Sequence, residues 1–87
     1  MAWQLSDPYA IEEDLEAMGP VVWNTWMNEV RPQLLQDPNP TNVGLRITET
    51  QGQQVWIPET DVFVRFFLTD DKHVLLIQAV NLLDELG

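Results

Sequence analysis

Near the carboxyl end the chain reads Val62-Phe63-Val64-Arg65-Phe66-Phe67-Leu68, a run that is apolar at every position except Arg65. A second run, His73-Val74-Leu75-Leu76-Ile77-Gln78-Ala79-Val80, is nearly continuous in its apolar character and follows a polar turn at 69–72. Runs of this length and composition are typical of strands in the middle of a sheet. The two runs therefore predict two central strands.

Upstream of these runs the apolar residues recur with a period of two. Val43, Leu45 and Ile47 alternate with more polar residues, which predicts a half-buried strand over 43–48 with these three side chains inward. Gln51-Gly52 predicts a hairpin turn, and 53–57 is expected to be the returning strand. The sheet is therefore expected to contain about four antiparallel strands.

Two helices are predicted before the sheet. Ser6-Asp7-Pro8 combines a capping oxygen with a proline suited to the first helical position, so the first helix is expected to start there. Gly19-Pro20 separates it from a second helix. The second helix has a wide apolar stripe with helical spacing, formed by Val22, Trp23, Trp26, Met27, Val30 and Leu34. Pro32 interrupts this stripe and is expected to kink or split the helix near Arg31.

These elements predict an α+β fold, with two amino-terminal helices packed on an antiparallel sheet of about four strands. Neither the helical stripe nor the sheet can bury its apolar side chains alone, so the two layers must pack together. The length of 87 residues allows one domain, 1–87. The chain has no cysteine and a single histidine, so we expect no disulfide, no metal site and no cofactor.

The charge balance is strongly acidic. Fourteen Asp and Glu residues against four Lys and Arg residues give a formal net charge of −10. Such a charge repels phosphate backbones and anionic membranes, so neither direct nucleic-acid binding nor membrane binding is expected. We expect a protein partner with a basic surface instead. Two alternatives remain open: the charge serves solubility, or it imitates a nucleic acid in an acidic inhibitor.

The sequence also bears on location. The amino-terminal residues 1–7 show no basic region followed by an apolar region, so no signal peptide is expected. The longest uninterrupted apolar run, Val74-Leu75-Leu76-Ile77, is far shorter than the roughly 20 residues that a membrane-spanning helix needs. Cytoplasmic residence is the resulting expectation.

The order of these elements, together with the proline- and glycine-containing segments that separate them, resembles that of the RelE/ParE-like toxin superfamily. The residues that carry the resemblance are Trp3-Gln4-Leu5 as a first strand, Asp14-Leu15-Glu16-Ala17-Met18 and Leu34-Leu35-Gln36-Asp37-Pro38 as helix ends, Gly44-Leu45-Arg46-Ile47 at the start of the sheet, Val62 to Asp71 as an arginine-bearing strand with an acidic turn, and 74–80 as the last long strand. The likeness covers most of the chain.

The resemblance implies an alternative function, a toxin-type endoribonuclease of a toxin–antitoxin system. Its catalytic residues would be Arg46 and Arg65, with His73 as the one available histidine. The chain departs from the family where basic residues usually follow the last strand, because Asn81-Leu82-Leu83-Asp84-Glu85 stands there. Two arginines give little support for stabilising the charge of a phosphoryl transition state. We therefore expect no catalytic residue.

Aromatic residues of the sheet are the first candidates for partner binding. Trp56 lies between two residues that alternation assigns to the core, so its ring is expected on the other face of the sheet. With Phe63 or Phe67 it would form an apolar contact patch, since exposed tryptophan is frequent in binding hot spots. The alternative is a second small core under the carboxyl-terminal tail.

Charged residues are the second group of candidates. Arg65 would anchor a partner's carboxylate or phosphate, or else pair with a helix carboxylate such as Glu29 or point into solvent. Glu12, Glu13 and Glu16 would form an acidic docking surface, or else the solvated start of a helix. The function expected from the sequence is a non-catalytic acidic module for protein–protein interaction or regulation, with a second copy of the chain as a further candidate partner.

Overall fold

A computed structural model describes residues 3–86, and the side chains of residues 3–84. Met1, Ala2 and Gly87, at the two ends of the predicted domain, lie outside this range. The strands are β1 (Gln4–Ser6), β2 (Arg46–Thr48), β3 (Gln53–Trp56), β4 (Val62–Leu68) and β5 (His73–Asn81). The helices are α1 (Ile11–Ala17), α2 (Pro20–Thr25), α3 (Arg31–Gln36) and α4 (Leu82–Leu86). None of these helices is long and apolar enough to cross a membrane.

The α+β class is confirmed, but the sheet differs from the expected one. It has five strands in the order β1-β5-β4-β3-β2, and it is mixed because β1 pairs in parallel with β5. The expectation of about four antiparallel strands is therefore wrong. Three residues are too few to show a period in the sequence, and β1 forms because tertiary contacts hold it. The Trp3 N–H donates to the Leu35 carbonyl at 2.6 Å, which ties the start of β1 to the end of α3.

The first helix starts later than expected. Ser6 belongs to β1, and α1 begins at Ile11. The Asp7 carboxylate accepts hydrogen bonds from the backbone N–H groups of Ile11 and Glu12, at 2.6 and 2.9 Å. Asp7 thus replaces Ser6 as the residue that satisfies free amide groups at the start of the helix. The chain reaches this geometry through Ala10, whose φ of 56° is left-handed.

The second predicted helix is continuous over residues 20–36 but changes its hydrogen-bond register. A π-helical turn, Trp26–Val30, joins α2 to α3, and the Arg31 N–H donates to the Trp26 carbonyl five residues back. Pro32 has no N–H to donate, so the helix accommodates it by shifting register rather than by breaking. The helix is therefore not split near Arg31, and its irregularity at this position is a π turn.

One apolar core lies between the helices and the sheet. Its buried members are Ile11, Leu15, Val22, Trp26, Val30, Leu34, Leu45, Ile47, Val55, Ile57, Val62, Val64, Phe66, Val74 and Leu76. Trp23 packs against this core and is half-buried. The expectation that Val43 faces inward is wrong, because its side chain is 104% exposed and β2 begins only at Arg46.

A β-bulge keeps both halves of β5 in phase with the core. Arg65 pairs with Gln78 while Phe66 pairs with Leu76, so Ile77 is an extra residue in β5. Without the extra residue, Leu76 and Gln78 would point to the same side of the sheet. The bulge allows Leu76 to be fully buried while Gln78 is exposed.

A carboxylate joins α1 to the second helix. Glu12 Oε2 accepts hydrogen bonds from the indole Nε1 of Trp26 at 2.7 Å and from Nε of Arg31 at 2.9 Å. The Trp26 side chain is completely buried, so its N–H requires a partner inside the protein. Glu12 therefore holds the two helices together.

Replacing Glu12 by alanine is expected to lower the free energy of unfolding by about 1–3 kcal/mol, because the buried indole N–H loses its acceptor. Glu12→Gln keeps an acceptor oxygen and should lose less. The matched control is Glu13→Ala, an exposed position in the same helix, which should change the value by at most about 0.5 kcal/mol. Urea denaturation followed by tryptophan fluorescence measures all three. Equal unfolding midpoints for E12A and E13A would contradict this role for Glu12.

Candidate functional site

The sheet has one face toward α1, α2 and α3 and one face away from them, which we name the outer face. Along β2, β3 and β4, residues Ile47, Val55 and Val64 are cross-strand neighbours and belong to the core. Adjacent positions alternate to the opposite side of a sheet. The outer face is therefore formed by residues that include Arg46, Trp56, Phe63, Arg65 and Phe67. The expected outward position of Trp56 agrees with this arrangement.

Four of these side chains form a continuous row across three strands. The guanidinium carbon of Arg46 lies 4.8 Å from the centre of the Trp56 ring, and the Trp56 and Phe63 ring centres are 4.7 Å apart at 46°. The guanidinium carbon of Arg65 lies 5.7 Å from the Phe63 ring centre. We name Arg46, Trp56, Phe63 and Arg65 the arginine–aromatic row. Each cation–π contact of this kind stabilises its partners by about 0.5–1 kcal/mol at an exposed site.

The aromatic residues of the outer face differ in how accessible they are. Phe63 is only 6% exposed although it is not part of the main core, so it offers little surface to a partner. Trp56 is half-buried, and Phe67 is 54% exposed. The two alternatives drawn from the sequence thus divide between residues: Phe63 has the structural position, while Trp56 and Phe67 offer surface to a partner.

Two nitrogen atoms in the row are buried without a hydrogen-bond acceptor among the described residues. They are Nε1 of Trp56 and Nε of Arg65. A buried N–H group without an acceptor costs about 1–3 kcal/mol. Arg65 also has no carboxylate partner among residues 3–84, so the expected pairing with Glu29 does not occur there. Arg46, whose side chain is exposed, also has no carboxylate partner among residues 3–84.

The strands carry basic residues but no carboxylate, whereas the rest of the chain carries the carboxylates together with Arg31 and Lys72. The five strands contain Arg46, Arg65 and His73 but no Asp or Glu. All fourteen carboxylates lie in helices, turns and loops. In a chain of net charge −10, the two arginines of the outer face therefore lie on strands that carry no carboxylate, and Glu59 lines the groove beside Arg46.

A groove lies beside each arginine of the row. The larger one, of about 460 Å³, is lined by residues 43–46 and 56–60, which include Arg46, Trp56 and Glu59. The smaller one, of about 110 Å³, is lined by residues 51–53, 65–67, 77 and 78. Sequence reasoning found neither groove. The only features of the sequence that pointed to these grooves were Pro58-Glu59-Thr60, which ends the predicted strand 53–57, and the predicted hairpin turn at Gln51-Gly52.

The residues of the alternative catalytic set do not converge. Arg46 and Arg65 share the outer face, with about 12 Å between their Cα atoms from the strand spacings. His73 lies five residues before Gln78, the partner of Arg65 in β5, which places it about 15 Å away along the strand. Its Nδ1 is 3.2 Å from Asp71 Oδ1, in a geometry that falls short of a hydrogen bond. The two arginines therefore share a face without meeting at one point, and the histidine lies farther away along β5.

The acidic candidates lie on the other side of the molecule. Ile11 and Leu15 of α1 belong to the core on the helix side, so α1 does not border the outer face. Glu13 and Glu16 are exposed on that helix, whereas the carboxylate of Glu12 is engaged by Trp26 and Arg31. The predicted partner-binding residues thus occupy two separate surfaces. Among residues 3–84, no three His, Asp or Glu side chains come close enough together to hold a metal ion.

Comparison with known proteins gives no match: no protein-family model, no curated protein and no solved structure is significantly similar to this chain. The geometry of the outer face is therefore the basis for assigning a function to this chain.

The turn before β5 gives a test of the surroundings of His73. The Thr69 hydroxyl donates to Asp71 Oδ1, and this hydrogen bond, followed by the contact with His73, lowers the pKa of Asp71 below its ordinary 3.8. Thr69→Val is expected to raise this pKa toward 3.8, and His73→Gln to raise it less. Carboxylate carbon shifts measured by NMR against pH report both values.

The lowered pKa of Asp71 determines how the stability of the folded turn depends on pH. The ionised Asp71 stabilises the folded turn at pH values above 3.8, and this contribution disappears as the pH falls through the lower folded value. A larger pKa change in H73Q than in T69V would show that the histidine, and not the hydroxyl, controls this carboxylate.

Proposed function

We propose that this chain is a non-catalytic module that binds another protein through the outer face of its sheet. The observation that carries the proposal is the arginine–aromatic row, which lies on the side of the sheet that α1, α2 and α3 do not cover. Tryptophan and arginine are the residue types that most often dominate protein–protein binding energy. Here both are held in one row by a regular sheet, so a partner meets a preformed surface.

The exposed apolar area adds to this argument. Phe67 continues the outer face beyond Arg65 and is more than half exposed, and the smaller groove lies between the two residues and the hairpin turn. Trp56 is partly exposed at the other end, so the outer face offers aromatic surface on both sides of Arg65. Aromatic residues and arginine are enriched in interfaces that bind proteins.

Capture experiments from a native lysate test the proposal. The immobilised wild-type chain is expected to retain specific proteins, and Phe67→Ser and Trp56→Leu should each reduce the retained amount about tenfold, as expected for the loss of a hot-spot side chain. Val21→Ser is the matched control, because Val21 is an apolar residue of α2 that is 66% exposed on the helix layer. Quantitative mass spectrometry of the retained proteins is the measurement. Identical retention by all three variants would contradict the role of the outer face.

A second candidate, the toxin-type endoribonuclease, has one specific observation in its favour. Arg46 and Arg65 lie on the same face, beside an aromatic ring on which a base would stack. The order of one strand, two helices and an antiparallel set of strands also agrees with the RelE-like arrangement that the resemblance implies. The candidate is weakened by the distance to His73. A general base must lie close to the reacting group, and the strands place no other ionisable side chain beside the two arginines.

Expression in a bacterial host separates the two functions. On the binding proposal, induction of the wild-type chain leaves growth unchanged. Growth arrest that is relieved by Arg65→Ala, but not by Lys72→Ala in the exposed turn, would favour the ribonuclease instead. Circular dichroism of purified R65A establishes that the variant is folded.

A further inference from the structure

We infer that the outer face binds an acidic segment of a partner polypeptide, with carboxylates at Arg46 and Arg65 and an apolar side chain between them. This inference specifies the partner of the proposed function and rests on that function. It also reverses the expectation drawn from the net charge of the whole chain, which favours a basic partner. The charged side chains of the outer face, and not the net charge of the whole chain, determine which groups of a partner bind there.

The charge of the outer face supports a carboxylate ligand. The strands contribute two arginines and no carboxylate to this region, and neither arginine has an ion-pair partner among residues 3–84. A guanidinium offers a planar pair of N–H donors that matches the two oxygens of a carboxylate. The Nε of Arg65 is buried and lacks an acceptor among the described residues, whereas the terminal guanidinium nitrogens are not among the buried atoms, so a ligand carboxylate would contact these terminal nitrogens.

The spacing of the arginines supports an extended peptide. Their Cα atoms are about 12 Å apart, across two strand intervals and two residues along β4. In an extended segment, residues i and i+4 lie about 13 Å apart on the same side, with residue i+2 between them. Acidic residues at i and i+4 would reach the two arginines, and an apolar residue at i+2 would contact Trp56. The grooves beside Arg46 and Arg65 leave room for the flanking side chains.

A nucleic acid fits this surface less well. The loops and turns that join the strands, and the helix that follows β5, carry Glu49, Glu59, Asp61, Asp70 and Asp84, so carboxylates border the face at both ends. A nucleic acid places a phosphate at every nucleotide and would bring further negative charges against them. An acidic peptide has neutral residues between its carboxylates. A second copy of the chain is disfavoured because joining its acidic α1 to this face would be a head-to-tail contact, which builds a ring or an open filament and not the two-fold dimer that is commonest among oligomers.

NMR titration with defined peptides tests the inference. The probe is the capped peptide Thr-Glu-Thr-Leu-Thr-Glu-Thr, compared with the same peptide carrying Gln in place of both Glu residues. The signals followed are the Nε1–H of Trp56 and the Nε–H of Arg46 and Arg65. The acidic peptide is expected to shift them at about fivefold lower concentration than the neutral one, as two exposed ion pairs would give.

Variants and a nucleic-acid probe complete the design. The double variant R46Q/R65Q should bind both peptides equally, whereas Lys72→Gln should keep the preference for the acidic one. If the double variant does not fold, the comparison of the two peptides on the wild-type chain still decides the question. A single-stranded octamer of uridylate is expected to need a higher concentration than the acidic peptide to shift the same signals.

Several outcomes would overturn the inference. Equal shifts by both peptides would show that charge is not recognised, and no shift with the acidic peptide up to about 10 mM would exclude even weak binding. Stronger shifts with the uridylate octamer would assign the face to a nucleic acid, and shifts that depend on protein concentration alone would assign it to a second copy. Each of these differs from failure of the proposed function, in which the Phe67 and Trp56 variants retain the same lysate proteins as the wild-type chain.

Discussion

Strand β4 lies between β3 and β5, and the alternation of its side chains gives the sheet a core face and the outer face. Val62, Val64 and Phe66 point to the helices and are buried, while Arg65 and Phe67 point to the outer face. Only one face of the sheet is covered by α1, α2 and α3, so a strand that is apolar on both sides leaves aromatic surface outside the core. The candidate site therefore follows from the same alternation that builds the core.

The helix layer contains N–H groups that need hydrogen-bond acceptors, and acidic side chains provide these acceptors. Glu12 accepts hydrogen bonds from a buried tryptophan and from Arg31, and Asp7 accepts from two amide groups at the start of α1. Some of the carboxylates are thus part of the fold rather than of a docking surface. Of the four Lys and Arg residues, Arg31 is paired with Glu12 inside this layer, which leaves Arg46 and Arg65 as the Lys or Arg residues of the sheet.

The sequence predicts the local features of this fold better than those that depend on distant contacts. The runs 62–68 and 73–80, the Gln51-Gly52 turn and the helix irregularity near Arg31 all have local causes, and the structure contains each of them. A first strand at residues 3–5 was expected only through the resemblance, because three residues carry no period, and its parallel pairing with β5 was not expected. The exposure of Val43 was missed because alternation continues in the sequence beyond the point where pairing starts.

The site itself was predicted in part, for the same reason. Alternation places Trp56 outward, and the single charge in β4 draws attention to Arg65. The meeting of Arg46 with Trp56 depends on the register between β2 and β3, and that register is set by the length of the intervening hairpin. The grooves depend on loop conformations, including the left-handed backbone at Glu59, that no pattern in the sequence indicates.

The charge arrangement favours a binding role over a catalytic one on physical grounds. Catalysis on a phosphodiester needs donors that converge within hydrogen-bond distance of one reacting centre, together with a group that transfers a proton. The arginines of the outer face are about 12 Å apart and are separated by aromatic rings, so they address two points and not one. The net charge of −10 acts in the same direction, because it repels a polyanion that comes within a screening length of about 8–10 Å. Two separated guanidinium groups with aromatic surface between them suit a ligand that combines separated negative charges with apolar contact, as the proposed polypeptide partner does.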